Sequence, residues 1–262
     1  MEIKHYHRPE SLNEAYDLVV KQGGQPLGGG AWSATTSAKM TSAVDLSALG
    51  LEYIRAEGDS VVLGAMATAR ALETSKLLAD RYGSLFSNAL AHIAGVQIRN
   101  VVSVGGSVAG RYGFSELLVV LLALDARVVC YKEPACSLED FLRSPRSSAV
   151  LIEKIVLPPV EAAAYQSLRI AYNDFPVLSV CVSRGVAGWR VAVGARPQAA
   201  RLALKAAEIL GGRPKPDKDA IVQAGALAAQ ELTFGDDIRA SSTYRRSICP
   251  VLVKRALEEA LP

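Results

Sequence analysis

Two glycine-rich segments, each placed after an apolar stretch, constrain this chain more than any other feature. The first is Pro26-Leu27-Gly28-Gly29-Gly30-Ala31-Trp32-Ser33, and the second is Ser103-Val104-Gly105-Gly106-Ser107, within a run that starts at Ile98. Glycine lets the backbone turn its N–H groups inward and approach an oxyanion closely. Two such turns predict a site in which both segments bind one diphosphate, from opposite sides. Neither segment has the spacing of the common dinucleotide-binding or P-loop motifs.

The bulk composition indicates a globular protein that acts neither on nucleic acids nor in a membrane. The chain has 262 residues, of which 50% are hydrophobic, and a formal net charge of +3. That length predicts a good core and two domains, whereas the charge is too small to indicate nucleic acid or a lipid surface. No apolar run reaches the length of a membrane span. The N-terminus does not resemble a secretory leader, so we expect a cytoplasmic protein.

The cysteines and histidines indicate neither a metal centre nor a hydrolase. Cys130, Cys136, Cys181 and Cys249 form no C-x-x-C pair, and there are three histidines in all. An iron–sulfur or zinc site within the chain is therefore not expected, and the four cysteines are predicted to be free and mostly buried.

Periodicity and turn signals divide the chain into two regions. Up to Pro158-Pro159 it reads as a β-α-β-β unit followed by helices and strands, including an apolar helix that starts at Ser115-Glu116. We therefore predict a domain over 1–160, with subdomains of about 1–57 and 58–160. The region 161–262 reads as three antiparallel strands followed by helices, which predicts an α+β domain.

Four motifs, in order along the chain, together resemble one protein family. The run from Ile98 to Ala109 resembles the signature of the FAD-binding subunits of molybdenum hydroxylases, such as those of xanthine dehydrogenase, carbon monoxide dehydrogenase and 4-hydroxybenzoyl-CoA reductase. The first glycine segment, the acidic start of the apolar helix at Glu116, and the segment from Asp237 to Arg246 resemble three further motifs of that family.

The resemblance implies an α+β fold of the PCMH type, which is also called vanillyl-alcohol-oxidase-like. In that fold two α/β subdomains hold FAD, and an α+β domain with a three-stranded antiparallel sheet and helices follows. Glu116 falls where the family has an aspartate on the adenosine side of FAD, and Ile152 falls on a strand near the cofactor. Carried over by position, the residues expected to bind FAD are Pro26, Leu27, Gly28, Gly29, Gly30, Ala31, Trp32, Ser33, Ser103, Val104, Gly105, Gly106, Ser107, Glu116 and Ile152.

Several positions depart from the family pattern or allow more than one interpretation. Glu116 is one methylene longer than the aspartate, and Tyr165-Gln166-Ser167 lacks a lysine that the family often has there. Tyr112 or Phe114 would cover a flavin edge, and Arg111 would approach phosphate. Arg99-Asn100 fits a cofactor contact or a salt bridge with an Asx-turn. Tyr244-Arg245-Arg246 fits a solvated helical face, or a brace in which Arg245 or Arg246 holds a partner or the flavin domain. Asn173-Asp174-Phe175-Pro176 fits a flavin-side loop or a plain turn.

By resemblance, the chain is expected to be the FAD-containing electron-transfer subunit of a xanthine dehydrogenase-like hetero-oligomer. Its partners would be an iron–sulfur subunit and a molybdopterin-containing large subunit, with NAD+ or another compound as the final acceptor. FAD supplies the redox chemistry, so no catalytic side chain and no metal ligand are expected in this chain. Two alternatives remain: a free-standing PCMH-type FAD oxidoreductase, and an assembly subunit that has lost FAD.

Overall fold

The computed structural model describes residues 2–33, 39–147 and 149–261 of the chain. The strands form three separate sheets. Their bounds are β1 Glu2–His7, β2 Gln25–Leu27, β3 Lys39–Asp45, β4 Ile54–Glu57, β5 Ser60–Gly64, β6 Arg127–Cys130, β7 Cys136–Ser137, β8 Ile152–Leu157, β9 Ala162–Leu168, β10 Leu178–Gly185, β11 Gly188–Gly194 and β12 Arg201–Leu202.

The helices begin mostly at serine, threonine or aspartate caps whose side-chain oxygens accept backbone N–H groups. Their bounds are α1 Leu12–Tyr16, α2 Ala69–Glu73, α3 Lys76–Tyr82, α4 Leu85–Leu90, α5 Val96–Arg99, α6 Val104–Gly110, α7 Glu116–Ala123, α8 Leu138–Arg143, α9 Leu204–Leu210, α10 Lys218–Glu231 and α11 Ser242–Ala260. A π-helical turn, Asp17–Lys21, continues α1.

The first two sheets make up the N-terminal part of the fold. The first has the order β1-β3-β2, and both of its pairings are parallel. The second has the order β4-β5-β8-β6-β7, and its pairings are antiparallel. Because β4 pairs with β5, it belongs to the second sheet.

The third sheet carries the C-terminal region. Its order is β12-β11-β10-β9. It contains the three predicted antiparallel strands and, at the edge beside β11, a short fourth strand, β12, that the sequence did not indicate. Helix α11 packs against β9 and β10, and α10 packs against α11. Pro250 lies inside α11, and Gly225 of α10 permits the contact, since a Cβ there would lie 2.9 Å from the Pro250 carbonyl oxygen.

Helix α7 joins the two regions. All of its residues are buried, as expected for a helix that is apolar on every side. It packs against β10 and β11, and a Cβ on Gly194 would lie 2.2 Å from Cγ2 of Val119. Ser183 donates from Oγ to the Ala123 carbonyl at 2.6 Å, so a strand of the third sheet satisfies one of the free carbonyls at the helix end.

No helix among the described residues is long and apolar enough to cross a membrane. In the same part of the chain, no group of three or more histidine, cysteine, aspartate or glutamate side chains is arranged to hold a metal ion.

Candidate functional site

The first glycine segment follows β2, which pairs with β3. The last hydrogen bond of this pairing is donated by the Leu46 amide to the Leu27 carbonyl, at 3.1 Å. Gly30 has a φ of +69°, a left-handed conformation that favours glycine. Among the described residues, the amide groups of Gly28, Gly29, Gly30 and Ala31 make no hydrogen bond. This row of available N–H donors is what an anion such as a diphosphate requires.

The second glycine segment differs from its prediction as a turn, because Val104 begins helix α6. Ser103 caps this helix, and its Oγ accepts the Gly106 amide at 3.2 Å. Gly105 donates to the Ala65 carbonyl at 2.7 Å, and Val104 donates to the Ala67 carbonyl at 2.9 Å. These amides are paired within the chain, unlike the amides of Gly28, Gly29, Gly30 and Ala31 among the described residues.

The two glycine segments lie directly against each other. A Cβ on Gly29 would lie 1.7 Å from the Val101 carbonyl oxygen, and one on Gly28 would lie 2.6 Å from Ser103 Oγ. Only glycine permits so close a backbone approach. The structure therefore brings together the segments that the sequence singled out, and their role as FAD ligands remains a prediction.

An aromatic cluster adjoins the first glycine segment. The Trp32 ring lies 4.8 Å from Phe114 and 5.3 Å from Tyr112, measured between ring centres. Phe114 in turn lies 4.4 Å from Phe175, which belongs to the C-terminal region. The free amides and this cluster together fit a diphosphate joined to a planar ring system, as in FAD.

Glu116 takes up a position that its predicted role did not anticipate. Its side chain is 3% exposed and forms an ion pair with Arg169. Tyr165 donates from its hydroxyl to Glu116 Oε1 at 2.6 Å. Burial raises the pKa of Glu116, and the charge of Arg169 opposes that shift. The carboxylate thus fastens the start of α7 to the C-terminal region, while contact with the adenosine side of FAD remains a prediction.

Ile152, the last of the predicted site residues, lies at the start of β8 and is 5% exposed. The next residue, Glu153, accepts the Ala65 amide at 3.0 Å, and the Ala65 carbonyl accepts the Gly105 amide. Ile152 therefore lies on β8, the strand that is linked to α6 through Ala65.

Three arginines that the sequence singled out make structural contacts within the chain. Arg99 pairs with Glu73 at 2.8 Å, which favours its salt-bridge interpretation. Arg111 donates to the Ser144 carbonyl at 2.6 Å, and its ring contact is with Phe141 rather than with the glycine segments.

Arg245 is fully buried and donates to the carbonyls of Val177, Gly235 and Ala240 at 2.6 to 2.8 Å. It also pairs with Asp237 at 2.5 Å. Arg245 therefore braces the C-terminal region internally, while a brace to the flavin domain or to a partner stays a prediction.

Sequence reasoning missed Tyr165 and Arg169 as partners of Glu116. They follow Glu116 by 49 and 53 residues, on and after β9. The only signal in the sequence that could have indicated this contact is Tyr165 itself, which lies next to the position where the family often has a lysine.

Two family models together match almost the whole chain. Residues 1–160 match the family described as the FAD binding domain in molybdopterin dehydrogenase, and residues 163–260 match the CO dehydrogenase flavoprotein C-terminal domain. The carbon monoxide dehydrogenase medium chain of Afipia carboxidovorans is 29% identical, over 97% of this chain and 96% of its own length. The uncharacterized protein YgfM of Escherichia coli K12 is 28% identical, over 96% of this chain and 94% of its own.

A solved structure is also similar over almost the whole chain. A chain of Cu,Mo-CO dehydrogenase in a cyanide-inactivated form superimposes with a TM-score of 0.88 at 26% identity, covering 98% of this chain and 97% of that one.

Proposed function

The chain belongs to the FAD-binding medium subunits of the molybdenum hydroxylase family, of the CO dehydrogenase type, and we propose that it is the electron-transfer subunit of a multi-subunit oxidoreductase. Its electrons come from an iron–sulfur subunit, which receives them from a molybdopterin-containing large subunit. They leave to NAD+ or another acceptor, in the manner of a xanthine dehydrogenase. The subunit roles are inferred from the resemblance and from the medium-chain relatives.

The row of available amides from Gly28 to Ala31 is the observation that carries the proposal. Among the described residues these amides make no hydrogen bond, whereas the amides that begin α6 are paired. We propose that they donate to the diphosphate oxygens of FAD, and that the Ser103 hydroxyl beside Gly28 adds a further polar contact.

The chain's other contribution is to hold and shield a planar ring. When bound, FAD supplies the electron-transfer chemistry. Trp32, Phe114 and Phe175 offer apolar faces beside the glycine segments, against which that ring would pack. Glu116 and Arg169 act indirectly, since their buried pair holds the loop that carries Phe175.

The visible spectrum of the purified complex tests the proposal. We expect flavin bands, and release of FAD rather than FMN after heat denaturation. A colourless complex that takes up no added FAD would contradict the proposal and favour an assembly subunit without cofactor.

A further inference from the structure

The first glycine segment offers backbone donors to a diphosphate, but none of its residues has a cationic side chain. Each phosphate of a diphosphate carries a negative charge, whereas amide N–H groups carry only partial positive charges. A cation from elsewhere in the chain is therefore expected to complete the neutralisation. Arginine suits this role, because its planar guanidinium forms paired hydrogen bonds with phosphate oxygens.

Four arginines around the glycine segments and the aromatic cluster are already engaged. Three of them form ion pairs with acidic side chains, namely Arg99, Arg169 and Arg239. Arg111 has no acidic partner among the described residues, but its two Nη atoms donate to the carbonyl and the hydroxyl of Ser144. These four side chains therefore have their charge neutralised or their donors occupied.

Arg146, on the loop after α8, differs from these four arginines. It is exposed and, among the described residues, it forms no ion pair. Its hydrogen bond runs from Nη2 to the Arg111 carbonyl at 3.3 Å. Since a guanidinium has five N–H donors, most of the donors of Arg146 remain available to an anion.

Arg146 lies beside the aromatic end of the first glycine segment. The carbonyl that it contacts belongs to Arg111, and the ring of the next residue, Tyr112, lies 5.3 Å from the Trp32 ring between centres. Burial raises the pKa of Tyr112, and the charge of Arg146 opposes that shift, so this charge acts on the Tyr112 hydroxyl. Trp32 directly follows Ala31, the last residue in the row of available amides.

We propose that Arg146 turns towards the bound cofactor and neutralises the diphosphate of FAD. This inference rests on the proposed function, because it assigns a further residue to the phosphate part of the same site. The amides of the first glycine segment fix the position of the phosphates, and Arg146 supplies the positive charge. Because Arg146 is exposed, dissolved salt screens its attraction for the diphosphate. An uncharged contact would lack that salt dependence.

The test uses the complex purified through a tag on this chain and freed of flavin. Fluorescence titration with FAD at a series of NaCl concentrations gives the Kd at each concentration. The variants are Arg146→Gln, which removes the charge, and Arg146→Lys, which keeps it. Arg143→Gln is the matched control, since Arg143 belongs to the end of α8, is also exposed and already pairs with Glu139.

At low salt we expect Arg146→Gln to raise the Kd for FAD roughly tenfold, as the loss of a charge-assisted hydrogen bond predicts. The difference from wild type should shrink as the salt concentration rises, because only wild type has an attraction for salt to screen. Arg146→Lys should keep most of the salt dependence, and Arg143→Gln should follow wild type.

Equal Kd values for wild type and Arg146→Gln at every salt concentration would overturn the inference. A weakening by the same factor at all salt concentrations would also overturn it, because the role of Arg146 would then be structural. An equal weakening in Arg143→Gln would do the same, since the effect would then not be specific to Arg146. A wild-type complex that binds no FAD would instead contradict the proposed function itself.

Discussion

Arg169 and Glu116 form an ion pair whose side chains are 9% and 3% exposed. The pair joins the first residue of α7 to the end of β9, and Arg169 also donates to the Asp174 carbonyl at 2.9 Å. A buried ion pair costs desolvation, so its two members are strongly interdependent. Its position makes it the main polar connection between helix α7 and the loop that carries Phe175.

Removing one member of this pair is expected to destabilise the protein strongly. Arg169→Met leaves the Glu116 carboxyl buried without its cation, at a cost of about 3–5 kcal/mol in the free energy of unfolding. The double variant Glu116→Leu/Arg169→Met restores much of that loss, because no uncompensated charge remains. Urea unfolding of the three proteins measures both effects.

Arg55→Met serves as the control for this prediction. Arg55 pairs with Glu57 at the surface, where both side chains are about half exposed, so its removal is expected to change stability little. Equal unfolding midpoints for Arg169→Met and Arg55→Met would show that the buried pair contributes no more to stability than the surface pair does.

A side chain at Gly106 is expected to block cofactor binding without unfolding the chain. A Cβ there would meet only Ser103 Oγ, at 2.8 Å, so a valine projects outward beside the first glycine segment. We expect Gly106→Val to purify with far less FAD than wild type, with a circular dichroism spectrum like that of wild type. The flavin-to-protein absorbance ratio measures this.

Gly212→Val is the matched control, since a Cβ at Gly212 meets nothing within 4 Å and Gly212 lies in the C-terminal region. It should keep the full flavin complement. A full complement in Gly106→Val as well would remove α6 from the proposed site.

The loop that carries Ile238 is expected to lose stability in acid through Asp237. Burial alone would raise the pKa of Asp237, but hydrogen bonds from Arg245 and from the amides of Arg239 and Ala240 lower it below its ordinary value of 3.8. The stabilising contribution is therefore complete above that ordinary value, and it is lost as the pH falls through the lower pKa of the folded state.

Urea unfolding of wild type and Asp237→Asn at a series of pH values down to about pH 3 measures this contribution. Wild type should lose more stability than the variant over the acidic end of the series. Asp80→Asn is the control, because Asp80 is an exposed member of a surface pair and should follow wild type. Parallel curves for wild type and Asp237→Asn would rule out this contribution.

Local patterns predicted the elements that frame the site. Ser11-Leu12-Asn13-Glu14 has the sequence of a capping box, and the structure forms half of it: Ser11 Oγ accepts the Glu14 amide at 3.2 Å, while Glu14 accepts the amide of Glu10 rather than that of Ser11. Ser115 likewise caps the apolar helix, as expected. Caps and apolar runs act within a few residues of each other, so the sequence shows them directly.

Features that depend on distant partners were not predictable in this way. Gly105 and Gly106 disfavour a helix locally, yet α6 forms because Ser103 caps it and because Ala65 and Ala67 accept its first amides. Glu116 carries no local sign that residues near β9 would neutralise it. In both cases tertiary contacts decide the outcome.

The four thiols are free, as the sequence predicted. Cys130, Cys181 and Cys249 are buried, and Cys136 is partly exposed. Burial raises the pKa of Cys130 and of Cys249 to about 12, and it raises the pKa of Cys136 as well. Since the thiolate is the reactive form, an aromatic disulfide reagent should modify a single thiol slowly in the native protein and all four in denaturant. Cys136→Ser should abolish the modification of the native protein. Rapid modification of that variant would contradict the prediction, because it would show that the buried thiols become accessible on the timescale of the assay.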